Sequence, residues 1–488
     1  MSGVLILFLL IPLVGIAALF FVQRGSVMFM LSLGAVLFDA FCLLVGISGL
    51  PTCLPMQTAG GWLYLDHLSA WHLLVMLLVF TAGSLFAPGY FRDDLGSGRL
   101  SLTAARRYNQ LWLGSLWTMT LTLLANNIGL MWVGMEATTL VTAFLVSIYP
   151  KPAAIEAMWK YLIICSVGIA FAFIGTLLVA ASLPTTGEGS QQLFWTQLSV
   201  AGGYNLLLLK AAFIFSLVGF GTKAGLAPTH TWLPDAHSQA PGPVSAMFSG
   251  FMLNAALYCI MRHGAIVNHA LGSDQFTSRL YIIFGLVSII VPAAFILYQH
   301  DIKRLLAYSS VEHLGIITLG LGLGPAGCFA ALLHTLNHSM GKSLSFFAAG
   351  RLGQLYGSHE MGRIRGALHS APLWGIALAC GLLALIGAAP FSIFISEYLL
   401  VKAAIDRGAI FALVIFLFGI SVIFVAVLRH LMPMVWGEGR NLPEKYRSAS
   451  SIMVVCVLLG LLLFFGLYLP ASIQVFLTRA AALIGGLP

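Results

Sequence analysis

Lys223 follows the apolar run Leu206–Phe220 and precedes Pro228, Pro234, Pro241 and Pro243, all within GTKAGLAPTHTWLPDAHSQAPGP (221–243). A lysine at membrane depth costs about 2.5 to 3.5 kcal/mol on insertion scales unless it faces protein or water. Backbone broken by glycine and proline at that depth is expected only where it is buried in protein or lines a cavity. The chemistry open to such a residue is proton exchange. Burial disfavours charge and a nearby carboxylate restores it, so movement of the carboxylate loads or releases a proton. Glu136, in MWVGMEATTL, is the carboxylate expected to partner Lys223, either as a working pair or as a purely stabilising one.

His334, His338 and Lys342 recur every four residues in HTLNHSMGKSLSFF, which stacks them on one helix face. Three titratable groups in a row can carry a proton through intervening waters. Two histidines so spaced can also share a zinc, but no third ligand accompanies them, and hydrogen-bonded core histidines would give the same pattern. Glu397 follows the Pro390 break in GAAPFSIFISE (387–397) and reads as the terminal acceptor or donor of a proton path, or as an interfacial carboxylate. Lys160 is placed to tune Glu136 or to anchor a helix end. His230, Asp235 and His237 fall in the Pro-rich break, where they can admit protons or serve the loop. Glu312 and His313 read as helix-end residues, and Asp39 lies inside an apolar run.

The elements that must position these groups are membrane spans. Of 488 residues, 59% are hydrophobic and 8% charged, whereas soluble domains carry about 25% charged residues. The net charge of +8 does not indicate nucleic acid, because the basic residues flank apolar runs rather than cluster on a soluble face. Apolar windows predict an all-α polytopic membrane protein with about fourteen spans. They fall at 3–22, 27–48, 68–88, 109–126, 128–148, 157–181, 206–226, 243–263, 280–298, 303–323, 327–350, 371–398, 408–432 and 451–475. The first is expected to be a retained span, since no basic segment precedes it.

With the N-terminus outside, only Arg262, Arg279, Lys402, Arg407 and Arg479 fall on the outer side. Lys160, Lys210, Lys223 and Lys342 lie in or at the ends of spans, and the other fifteen, Arg440, Lys445 and Arg447 among them, fall inside. That bias predicts an inner-membrane protein with both termini on the periplasmic side. The seven cysteines, Cys53 included, form no CxxC pair, so no iron–sulfur, nickel, zinc or other metal site is expected in this chain.

Spans seven and twelve are both broken and each carries one ionisable group, Lys223 and Glu397. Pairing them divides a single membrane domain (1–488) into N-terminal helices (1–108), a first five-helix repeat (109–263), a second one (280–432) and a last helix (451–488). Corresponding broken helices in two repeats are a sequence pointer to a transport site.

At these motifs the chain resembles the antiporter-like subunits of respiratory complex I and of Mrp-type cation/proton antiporters. The resemblance rests on MWVGMEATTL, GTKAGLAPTHTWLPDAHSQAPGPVSA, DIKRLLAYSSVEHLG, HTLNHSMGKSLSFFAAG and APFSIFISEYL, and covers about residues 110 to 430. TKAGLAPTHTWLPDAHSQAP, SGFMLNAALY and LLHTLNHSMGKSLSFF are most similar to hydrogenase-4 component F of group 4 nickel–iron hydrogenase and formate hydrogenlyase complexes. The resemblance implies fourteen helices with inverted repeats and proton pumping along a central hydrophilic axis. It assigns the fifth-helix glutamate to Glu136, the broken-helix lysine to Lys223, the eleventh-helix group to His334, His338 and Lys342, and the terminal glutamate to Glu397. Asn254 stands where many relatives have lysine, so it either orients water or interrupts the path. The chain is also expected to lack the lateral helix of the longest family members, since little follows span fourteen.

The function expected from the resemblance is a proton-translocating subunit with no redox site of its own. Its partners would be membrane and peripheral subunits carrying iron–sulfur clusters and a nickel–iron centre. The alternatives are an Mrp-type Na⁺/H⁺ antiporter subunit, a complex I-like pump subunit, or a scaffold that translocates nothing.

Overall fold

In a bilayer every backbone N–H and C=O must be bonded within the segment, so apolar runs of this length fold as helices. The computed structural model describes residues 2–48, 54–58, 60–184, 193–439 and 448–485; Cys53, Arg440, Lys445 and Arg447 lie outside them. Among the described residues, nine helices are long and apolar enough to cross a membrane, from Gly25–Gly46 to Ala449–Leu467. The helices Leu102–Leu124, Ile302–Leu321 and Gly324–Tyr356 have the length but are less apolar. The last two are less apolar because they carry Lys303, Glu312, His313, His334, His338 and Lys342, all buried.

Buried polar and charged groups thus lie embedded in an apolar core with apolar outer faces. Residues 242–268 are buried throughout, while peripheral helices turn Ile163, Phe411, Phe418 and Val425 outward. Helices approach most closely at small residues, the usual packing device where lipid supplies no hydrophobic drive. A Cβ at Gly219 would strike the backbone of Ala172 and Gly168 in the neighbouring helix Pro152–Ala181, and one at Gly315 would strike Gly285.

Both expected breaks are present. Leu206–Ala224 ends at Gly225 in the left-handed conformation (φ 76°), and the chain resumes as Trp232–Gln239. Pro372–Leu385 is followed by Gly387 (φ 69°) and then Ser392–Asp406. Several details differ from the expectation. The fourth span begins at Leu102 rather than 109, because Ser101 caps it by accepting from the Ala104 N–H. A short antiparallel hairpin pairs Met56–Gln57 with Tyr64–Leu65 before the third span. The last span stops at Leu467, and a separate helix, Ala471–Gly485, starts after Pro470.

Candidate functional site

Lys223 sits in the last turn of its half-helix, where the unpaired carbonyls favour a cation. It is fully buried. Among the described residues it makes no ion pair with Glu136. Its Nζ instead donates to the Tyr161 hydroxyl and stands 4.5 Å from the centre of that ring. Tyr161, from Pro152–Ala181, meets the Thr142 hydroxyl at 2.6 Å. Two anchors hold the break in place: Trp232 Nε1 donates to the Thr222 carbonyl (3.0 Å), and the Ala227 N–H donates to Ser288 Oγ (2.9 Å).

Glu136 is half-buried and accepts from Ser166 Oγ at 2.8 Å, and its other oxygen has no protein partner. Lys160 is turned away from it. That side chain is 47% exposed and binds Glu156 (2.7 Å) and Asp235 (3.1 Å), and Asp235 also pairs with Arg304 (3.0 Å). Lys160 and Asp235 therefore form a solvent-side ion cluster.

The second half of the site gathers around Gly324–Tyr356. His334, His338 and Lys342 share its face as the spacing predicts, and all are buried. His313, from the middle of Ile302–Leu321, inserts beside them. Its Nδ1 lies 3.0 Å from His334 Nε2, and its ring centre lies 5.1 Å from that of His338. His334 Nδ1 reaches Ser396 Oγ at 3.0 Å, and Asn337 Nδ2 donates to Ser396 Oγ at 3.2 Å. Glu397 follows Ser396 and folds back over the break, where Gly387 makes room for its carboxylate. At the other end of the row, Lys342 Nζ donates to the Leu306 carbonyl at 2.9 Å. Glu312 lies within electrostatic range of both Lys342 and Glu397.

Asn254 joins the two halves. Its Nδ2 donates to the Gly250 carbonyl (3.1 Å) and to Ser339 Oγ (3.3 Å), next to His338 in the chain. That carbonyl lies within a π-helical turn, Phe248–Met252. Ser339 Oγ donates to the same carbonyl.

On the side of the Pro-rich break lies a polar cavity of about 740 Å³, lined by Asp93, Asp94, Lys151, Lys303, His359 and Glu360 among others. Lys303 Nζ closes its floor by donating to the Ala240 and Ser238 carbonyls. Burial, together with Lys303 and Lys151, pulls the loop imidazole of His359 down to about 3. His237 lies deeper, stacked 4.9 Å over Phe346, with neither ring nitrogen bonded to protein. His230 is also buried, against Tyr308 and Phe295. No group of three or more His, Cys, Asp or Glu among the described residues is arranged to hold a metal ion.

Sequence reasoning missed Tyr161, His313 and Lys303. His313 had a visible signal, a second titratable residue beside Glu312 in an otherwise apolar window. Tyr161 had none, since an aromatic in a span reads as core.

A row of buried titratable groups inside a lipid-facing shell defines a multi-pass membrane protein with an internal polar axis. Residues 125–423 match the family described as NADH:quinone oxidoreductase/Mrp antiporter, TM, and the chain belongs to that family. It is 38% identical over 395 residues to a hydrogenase-4 component F homolog of Methylacidiphilum infernorum, covering 80% of this chain and 82% of that one. It is 29% identical to hydrogenase-4 component B of Escherichia coli, covering 83% of this chain but only 62% of the longer relative. A chain of the membrane-bound sulfane sulfur reductase, an archaeal respiratory membrane complex, has the same fold. Its TM-score is 0.86 at 24% identity, covering 99% of this chain and 97% of that one.

Proposed function

We propose that this chain is a proton-translocating membrane subunit of a redox-driven complex of the hydrogenase or formate hydrogenlyase type. The carrying observation is the bonded row His313–His334–Ser396, flanked by His338 and Lys342 on one side and Glu397 on the other. Buried groups of this kind are costly in a bilayer and typically mark proton relays. Lys223, bonded to Tyr161 and within electrostatic range of Glu136, is the loading group, and Asn254, which cannot itself titrate, orients water between the halves together with Ser339. The 740 Å³ cavity, Lys303 and His237 form the uptake side, with His230 beside them and the Asp235–Lys160 cluster at its margin. On this reading the cavity faces the cytoplasm and both termini face the periplasm. Residues 109–263 and 280–432 act as two inverted repeats, each with its broken helix, between the N-terminal helices (1–108) and the last segment (451–488).

Partner subunits supply the iron–sulfur clusters and any nickel–iron centre. Glu136 supports such an assembly. It is half-buried in a face where Val133, Leu140, Phe144, Ile163 and Val167 are 47–61% exposed. A carboxylate at the edge of that face is better matched by a protein neighbour than by lipid. The family description also names Mrp antiporters, so Na⁺/H⁺ exchange without a redox partner is the second reading. Tagging the chain, extracting it in mild detergent and identifying its companions by mass spectrometry separates the two. Iron–sulfur subunits and a large subunit with paired CxxC motifs support the first reading, and recovery of small hydrophobic antiporter subunits alone overturns it.

A further inference from the structure

The helix Ala471–Gly485 is two-faced. Leu477, Ala480, Ala481 and Ile484 are buried against the bundle, while Ser472, Gln474, Thr478 and Arg479 are exposed. Such a division suits a helix lying in the headgroup layer of a bilayer. Beside it opens a cavity of about 730 Å³ with walls that include Leu74, Leu78 and Leu461 and a rim that carries His67, Ser472 and Arg479. A second cavity, of about 260 Å³, shares those three leucines and continues to Leu85 and Met453. The two form one groove along His67–Gly96. From Leu74 to Leu85 the helix rises roughly 16 Å, close to the ~15 Å hydrocarbon depth of one leaflet.

We propose that this groove binds an anionic glycerophospholipid, with its phosphate against Arg479 and His67 and an acyl chain along Leu74, Leu78 and Leu461. The choice of occupant follows from charge and depth. The polar and cationic groups lie at the end beside the interfacial helix, and the part that runs to hydrocarbon depth is leucine-walled. Arginine at that rim supplies paired donors for a phosphate. A zwitterionic lipid would gain less from it, because its own ammonium opposes Arg479. This proposal does not depend on the translocation reading.

The test is native mass spectrometry of the full chain purified in mild detergent and exchanged against mixed micelles of phosphatidylglycerol and phosphatidylcholine. The wild type retains phosphatidylglycerol in preference. Arg479→Gln cuts that preference by about five-fold, the scale of one basic residue at an anionic surface, and Arg479→Lys keeps most of it. Leu461→Trp, which fills the groove and leaves the rim intact, lowers retention of both lipids. Unchanged lipid retention in Arg479→Gln and Leu461→Trp overturns the proposal. So does a photoreactive residue at Leu461 that cross-links, in native membranes, to a protein and not to a phospholipid. If Leu461→Trp fails to fold, the Arg479→Gln and Arg479→Lys pair decides alone, since that position is exposed.

Discussion

His313 and His334 meet Nδ1 to Nε2 at 3.0 Å although they come from different helices. The contact turns a one-helix stripe of histidines into a bridge that ends on Ser396, next to Glu397. One ring must donate to the other, so both tautomers are fixed together and a proton arriving at either reorganises both. His313→Phe, which keeps the volume and removes the nitrogens, is therefore expected to lower translocation by roughly a hundred-fold, the low end for a positioned proton-transfer group. Dye-monitored acidification of vesicles holding the assembled complex checks this; unchanged rates would take His313 out of the path.

Gly387 is required twice over. Its φ of 69° disfavours any side chain, and a Cβ there would meet the Glu397 carboxylate. Gly387→Ala is expected to abolish most translocation while leaving expression and assembly close to wild type. Shortening the carboxylate in the double variant Gly387→Ala/Glu397→Asp should recover part of the loss, read by the same vesicle assay.

Asp66 and Arg262 form a two-pronged ion pair, 2.7 Å on each prong, with both side chains at most 3% exposed. Asp66 also caps the helix His67–Gly96, and Arg262 stacks 4.3 Å over Trp195. Removing one partner strands a buried charge, which costs about 3–5 kcal/mol. Asp66→Asn should accordingly lower the melting temperature in detergent far more than the double change Asp66→Asn/Arg262→Met.

His359 makes stability depend on pH. Burial beside Lys303 and Lys151 holds it at about 3, below the ordinary 6.5. The unfolded chain takes the proton first as pH falls. This contribution to stability is thus complete above pH ~6.5 and is lost between there and ~3, by at most about 1.4 kcal/mol per pH unit. Melting curves at neutral and mildly acidic pH should separate, and His359→Gln should bring them closer together.

The parts of the site legible in sequence were those where a residue contradicts its surroundings. Lys223 and Lys342 stand out as charges in apolar runs, and the prolines around 228 and 390 announce the breaks. What stayed hidden depends on contacts between helices. Periodicity places Glu136 and Lys223 on their own helices but cannot show that Tyr161, from a third, takes the lysine. Likewise Lys160 reads as a neighbour of Glu136 until Asp235, from the far side of the break, draws it outward. The π-helical turn at Phe248–Met252 also lacks a local signal, because apolar composition is the same in an α-helix and a π-turn, whereas Pro470 and the polar residues Gln474, Thr478 and Arg479 did mark the separate helix Ala471–Gly485.

The central claim is that buried charge at Lys223 is loaded and released during turnover. The most direct measurement is proton uptake into sealed vesicles carrying the intact complex, comparing wild type with Lys223→Met at equal complex content and equal redox turnover. The account predicts that uptake per electron falls to near background in Lys223→Met while the assembled complex is retained. Wild-type uptake per electron in that variant would contradict it.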